Sequence, residues 1–172
     1  HASALAKSPP DGHTLLFYGS PIWLLPFMQS VPYDPVRDFS PITLAVSSPN
    51  ILVVHPSIAV RSTRELIAIA KSRPGELNYA SGGAGSIPHL AAELFKAMAE
   101  INMVHVPYKG GNPALNDLIG GHVHLMFANV VSGLPHVKSG KLRVLAVTSS
   151  EPSVLLPSLP TVAASGLPGF QA

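Results

Sequence analysis

The sequence predicts an α/β fold with a mainly parallel sheet, and three observations carry this. From residue 51 to residue 148, β-type runs alternate with helical runs in the order β-α-β-α-β-α-β-α-β, the pattern of right-handed crossovers. The strands end on small or glycine-rich segments: Tyr18-Gly19-Ser20, Ala80-Ser81-Gly82-Gly83, Tyr108-Lys109-Gly110-Gly111 and Phe127-Ala128-Asn129. Open α/β sheets hold ligands beyond such carboxyl ends. Finally, 47% of the 172 residues are hydrophobic, enough for a core.

The elements follow in order. Residues 2–8 read as the last turns of a helix, closed by Pro9-Pro10-Asp11-Gly12, a turn sequence. His13 to Tyr18 reads as a strand ended by Gly19-Ser20-Pro21, and Ile22 to Gln29 as a short helix interrupted near Pro26. Residues 31–39 are a proline-broken loop; Ile42 to Ser47 and Ile51 to His55 are strands around Ser48-Pro49-Asn50. Ser62-Thr63-Arg64-Glu65 is a capping box, with a hydroxyl at the N-cap and a carboxylate three residues on. Its helix runs to about Arg73 and stops at Pro74-Gly75. A strand over 77–81 meets a glycine turn, and a helix over 88–99 begins with Pro88, where the missing N–H costs nothing. Leu90, Leu94 and Met98 fall on one face of that helix. Met103 to Val106 is a strand, Pro113 to Ile119 a helix stopped at Gly120-Gly121, and Val123 to Phe127 a strand. Val131 to Lys138 is a helix ended by Gly140, Leu142 to Thr148 a strand, and Thr161 to Ser165 a helix ended by Gly166.

Composition narrows the chemistry. Charged residues are 12% and the net charge is +2, against roughly 25% charged residues in average globular chains. Lys and Arg are scattered singly, so the footprint of a nucleic-acid binder is missing. The chain has no cysteine, which excludes disulfides, thiolate metal sites and a cysteine nucleophile. No apolar run approaches the roughly 18 residues of a membrane span. The first residues show no charged segment leading into an apolar one, so no signal peptide is expected. The start at His1, without Met, reads as that of a fragment.

The segment Tyr79 to Phe95, YASGGAGSIPHLAAELF, asks for an anion. A strand, a glycine-rich turn and a helix start together offer free backbone N–H groups. Phosphate fits poorly. No Lys follows Gly85, and Gly83-Ala84-Gly85-Ser86-Ile87-Pro88 lacks the third glycine of a dinucleotide fingerprint. A carboxylate fits better, with Ser81, Gly85 and Ser86 as donors. The same residues read equally well as a plain N-cap and turn. Ser86 and His89 form a tempting nucleophile–base pair, but no Gly-x-Ser-x-Gly elbow exists, and a capping role is the commoner one. His122 and His124 would share a strand face as metal ligands, but no third ligand is visible. His105 reads as a core or interface residue, and Lys109 as either an anion partner or a solvated loop residue.

Six segments carry a resemblance. PPDGHTLLFYGS, VPYDPVRDFSPITL, LNYASGGAGSIPHLAAELFKAMA, VHVPYKGGNPALNDLIGGHVHLMFA, SGKLRVLAVTS and LPTVAASGLPGF occur in this order. Together they resemble the substrate-binding proteins of tripartite tricarboxylate transporters, the Bug family. The resemblance implies a periplasmic binding protein of the type II fold, with two α/β lobes closing on a small organic carboxylate. It implies no catalysis and no cofactor or metal. The implied partners are the permease subunits of the membrane transporter. Position by position, Gly19 and Ser20 match a ligand loop of the first lobe. Ser81, Gly82, Gly85, Ser86 and His89 match the anion loop of the second, and Tyr108, Lys109 and Gly110 a second-lobe loop facing the cleft. Ala128-Asn129 falls where many members carry Asp. Without that carboxylate, a ligand ammonium loses its acceptor, and plain carboxylic acids are favoured over acidic amino acids. The family pattern extends beyond this chain at both ends. The expectation is therefore a first-lobe remnant over 1–45, a complete second lobe over 46–147, and a return segment over 148–172. Such a remnant would leave exposed edges, which pairing between copies would cover. Two alternatives stay open: a small hydrolase using Ser86 and His89, and a fragment that binds no ligand.

Overall fold

In the computed structural model, residues 2–19, 21–45 and 48–172 are described. The chain divides into two compact units, residues 1–47 and 48–172.

Among its described residues the first unit has two helices, α1 (Ala2–Leu5) and α2 (Pro21–Met28). α2 is apolar throughout and carries Pro26 internally. Beyond it, the Tyr33 and Phe39 rings meet edge to face at 5.6 Å. The Asp34 carboxylate accepts the Val36 and Arg37 N–H groups at 2.8 and 3.1 Å, and these bonds hold its pKa below the ordinary value. The strands expected over 13–18 and 42–47 are not formed: residues 13–19 and 42–45 have no regular structure, and 46 and 47 lie outside the described residues. A run with strand composition becomes a strand only when a neighbour completes its hydrogen-bond ladder.

The second unit contains β1 (Asn50–Val54), α3 (Thr63–Ser72), β2 (Asn78–Ser81), α4 (Ile87–Ala99), β3 (Val104–Pro107), α5 (Gly111–Ile119), β4 (Leu125–Asn129), α6 (Val130–Lys138) and β5 (Arg143–Val147). The capping box forms, with Ser62 Oγ accepting the Glu65 N–H at 3.2 Å. The sheet order is β3-β2-β4-β1-β5. β2 is parallel to β3 and β4, whereas β1 is antiparallel to β4 and β5. β2, β3, β4 and β5 share one direction and β1 is reversed, so two of the four pairings are antiparallel and the sheet is mixed rather than mainly parallel as expected.

Alternation along the strands builds two core layers. Leu52, Val54, Tyr79, Leu125 and Phe127 face α3 and α4. Ile51, Val53, Ala80, Met126 and Ala128 face α5 and α6. In α4 the buried stripe is Ala91, Ala92, Phe95 and Ala99, whereas Leu94 and Met98 remain over a third exposed. The Leu90/Leu94/Met98 face is thus not the core face. Small alanines let the helix approach the sheet closely, and Phe95 fills the gap against Phe127 and Phe170.

Residues 161–165 form turns rather than the expected helix, because Thr161 is drawn into a parallel bridge with Val147. Residues 148–172 belong to the second unit, with Val162, Leu167 and Phe170 buried in the α3/α4 layer. No helix among the described residues is long and apolar enough to cross a membrane.

Candidate functional site

The shared direction of β2, β3 and β4 brings their carboxyl ends to one edge of the sheet. Each strand leads into the N-terminus of a helix: α4, α5 and α6. Helix N-termini carry unpaired N–H groups and partial positive charge. The first two connecting loops interlock: the Tyr108 N–H donates to Ser81 O at 2.9 Å, and the Gly110 N–H to Gly82 O at 3.1 Å. The approach favours glycine at 82, because a Cβ there would stand 3.1 Å from Gly111 N and 3.2 Å from Gly110 C, and the facing backbone would have to shift. Among the described residues, the N–H groups of Ala84, Ile87 and His89 donate to no protein acceptor, and neither do those of Gly111 and Asn112.

The predicted site residues take distinct places. Ser81 is buried and its hydroxyl is used within the turn. It lies 2.7 Å from His105 Nε2 and 3.1 Å from Gly83 O, and it accepts the Gly83 N–H at 3.2 Å. Ser86 is the N-cap residue of α4 by backbone position, yet its side chain caps nothing and donates to Gly83 O at 2.7 Å. α4 starts at Ile87, one residue earlier than expected, so Pro88 takes its second position. Gly85 has φ +76°, and its N–H donates to His89 Nδ1 at 3.1 Å. The Tyr108 hydroxyl donates to Asp117 at 2.7 Å; burial and this acceptor push its pKa up to about 12. Lys109 is exposed, and Gly110 is the N-cap residue of α5. Asn129 is the N-cap of α6, its Oδ1 accepting the Val131 N–H at 2.9 Å. Ala128 is fully buried in the α5/α6 layer, so its side chain belongs to the core. Gly19 lies in the first unit, and Ser20 falls outside the described residues.

The two metal candidates diverge from expectation. His122 and His124 precede β4 rather than sharing a strand face. His124 Nδ1 accepts the Asn78 N–H at 2.9 Å, and burial followed by nearby His55 lowers its pKa. Among the described residues no three metal-ligating side chains come together.

Sequence reasoning passed over the group beneath the loop. The rings of Tyr79, His89 and His105 cluster near parallel, His105 lying 4.8 Å from Tyr79 and 4.2 Å from His89, and Tyr79 6.5 Å from His89. Glu93 accepts the Tyr79 hydroxyl, and also Lys96 Nζ at 2.8 Å. Burial pushes Glu93 upward, but the bonds from Lys96 and Tyr79 outweigh it and hold its pKa below the ordinary value. Burial, reinforced by Glu93, raises that of Tyr79. A signal for this group existed: His89, Glu93 and Lys96 are spaced i, i+4, i+7 along an otherwise apolar helix.

The sequence pattern of the tripartite tricarboxylate transporter family receptor matches residues 1–172. The chain belongs to this receptor family. It is 42% identical over 174 residues to BugT of Bordetella pertussis, covering 98% of this chain and 53% of that protein. Among solved structures, R. palustris Rpa4515 with adipate superposes with a TM-score of 0.91 at 39% identity, over 99% of this chain and 58% of that one. The periplasmic binding protein BugD superposes with a TM-score of 0.80 at 29% identity, over 99% of this chain and 57% of that one. The receptor chain therefore has the periplasmic-binding-protein fold expected from its motifs and corresponds to part of it. It spans about half the length of the curated relatives it matches.

Proposed function

We propose that this chain is the ligand-capturing part of a periplasmic solute-binding receptor that takes up a small organic carboxylate for a tripartite tricarboxylate-type permease. One observation carries the reading: two interlocked glycine loops aim unpaired N–H groups from the starts of α4 and α5 at one sheet edge. Neutral donors at helix N-termini hold a carboxylate by charge-assisted hydrogen bonds and release it again. The similarity to Rpa4515, solved with adipate, supports the ligand class. The similarity to BugD supports the compartment.

The unit over 48–172 supplies the second-lobe loops of the proposed site. Lys109, exposed beside the α5 start, adds long-range attraction for the anion. Asn129 commits Oδ1 to its own helix and leaves its amide hydrogens for a ligand oxygen. That choice favours a plain carboxylic acid over an amino acid. A hydrolase reading finds no support, because Ser86 and His89 are each bonded to other partners of the loop.

The test is a thermal-shift panel of mono-, di-, tri- and aromatic carboxylates, adipate included, followed by calorimetry on Ser86→Ala. The expected result is stabilisation by one carboxylate class. Ser86→Ala, which loses the bond to Gly83 O, is expected to weaken binding by about 1–3 kcal/mol. A panel without any stabilising carboxylate overturns the reading.

A further inference from the structure

The Ser81 hydroxyl has three protein contacts: His105 Nε2, Gly83 O and the Gly83 N–H. A hydroxyl donates once and accepts twice. All three contacts become hydrogen bonds in one way only. Ser81 donates to Gly83 O, and accepts from the Gly83 N–H and from an Nε2–H of His105. His89 obeys the same constraint. Its Nδ1 accepts the Gly85 N–H, so its ring hydrogen is also on Nε2. The two imidazoles are stacked 4.2 Å apart at 25°, backed by Tyr79 from β2. The charged groups beside them, Glu93 and Lys96, come from α4 and are paired with each other. Burial and the neighbouring His89 lower the pKa of His105, favouring its neutral form.

We propose that His105 is a positioning residue of the anion loop. It touches no ligand position itself. Through Ser81 it holds the Gly82–Gly85 turn in the shape that frees the N–H groups of Ala84, Ile87 and His89. Its stack on His89 extends the constraint into the first turn of α4. The proposal rests on the reading of this loop as a carboxylate site, and the test separates the two.

Nitrogen-15 spectra of the chain and of His105→Phe, His105→Gln and Ser81→Ala read the loop directly. In the parent, His105 is expected to carry its hydrogen on Nε2. His105→Phe and Ser81→Ala are expected to displace the Gly83 and Gly85 amide signals in the same direction and to weaken adipate binding by about tenfold. His105→Gln, which restores a donor to Ser81, is expected to return both signals toward the parent positions. Parent His105 protonated on Nδ1, undisturbed glycine amides in Ser81→Ala, or a His105→Gln chain displaced as far as His105→Phe would each overturn the proposal. Should His105→Phe fail to fold, the parent tautomer and the Ser81→Ala spectrum still decide. The expected amide pattern in a chain that takes up no carboxylate would uphold the positioning role and remove the carboxylate reading.

Discussion

At the proposed site, one atom of the Asn129 side chain would decide which ligand charge is accepted. Its Oδ1 is committed to the Val131 N–H at the start of α6. Asp would cap the same N–H and suit the helix dipole, but it would bring a negative charge to the edge where the anion is proposed to bind. Asn129→Asp is therefore expected to keep or raise the melting temperature while weakening adipate binding by at least about tenfold. Calorimetry and thermal melting on one sample check both halves. Two histidines make stability depend on pH. The pKa values of His105 and His124 are lowered from the ordinary 6.5. Between 6.5 and their lower folded values the unfolded chain binds these protons first, so stability falls as pH falls. The melting temperature is expected to drop from about pH 7 toward pH 5, and His124→Gln to flatten the curve. A profile as steep in that variant would exclude His124 as a source.

At the scale of elements, the contact between the β2–α4 and β3–α5 loops holds the site together. Gly82→Ala sets a Cβ against the backbone at Gly110 and Gly111, where no flexible side chain can yield. The expected cost is about 1–3 kcal/mol in denaturant unfolding, with loss of carboxylate binding. An unchanged midpoint would mean that the loops part freely. The five strands of the second unit could be read from apolar runs bounded by Gly and Pro, and α3 from its capping box. The glycine loops were equally readable, since Gly83 and Gly85 take positive φ and a Cβ at 82 would crowd the facing backbone. Other features depend on partners distant in the chain. The runs at 13–18 and 42–45 have strand composition but no ladder. Thr161 bridges Val147, and the residues after it form turns rather than a helix. Leu90, Leu94 and Met98 line one face of α4, yet the sheet selects the face of Ala91, Ala92, Phe95 and Ala99. Ser81 and Ser86 appear as ligand donors until His105 and Gly83 are seen to occupy their hydroxyls.

For the second unit as a whole, Thr148 ties distant parts of the chain together. It is buried, accepts the Asn50 N–H at 3.1 Å, and donates to Ala172 O at 2.6 Å. Thr148→Val keeps the shape and leaves a buried donor unpaired. It is expected to cost about 1–3 kcal/mol by chemical denaturation. A neutral result would mean that the last residues contribute little to the core. The reversal of β1 has a mechanical consequence. Because β1 opposes its neighbours, its first residue, Asn50, lies beside Thr148, just past the end of β5. A load applied between residues 50 and 148 would therefore pull on two adjacent strand ends from the same side. It would unzip β1 from β5 one hydrogen bond at a time, beginning with the Asn50–Thr148 pair, and would not have to break the whole ladder at once.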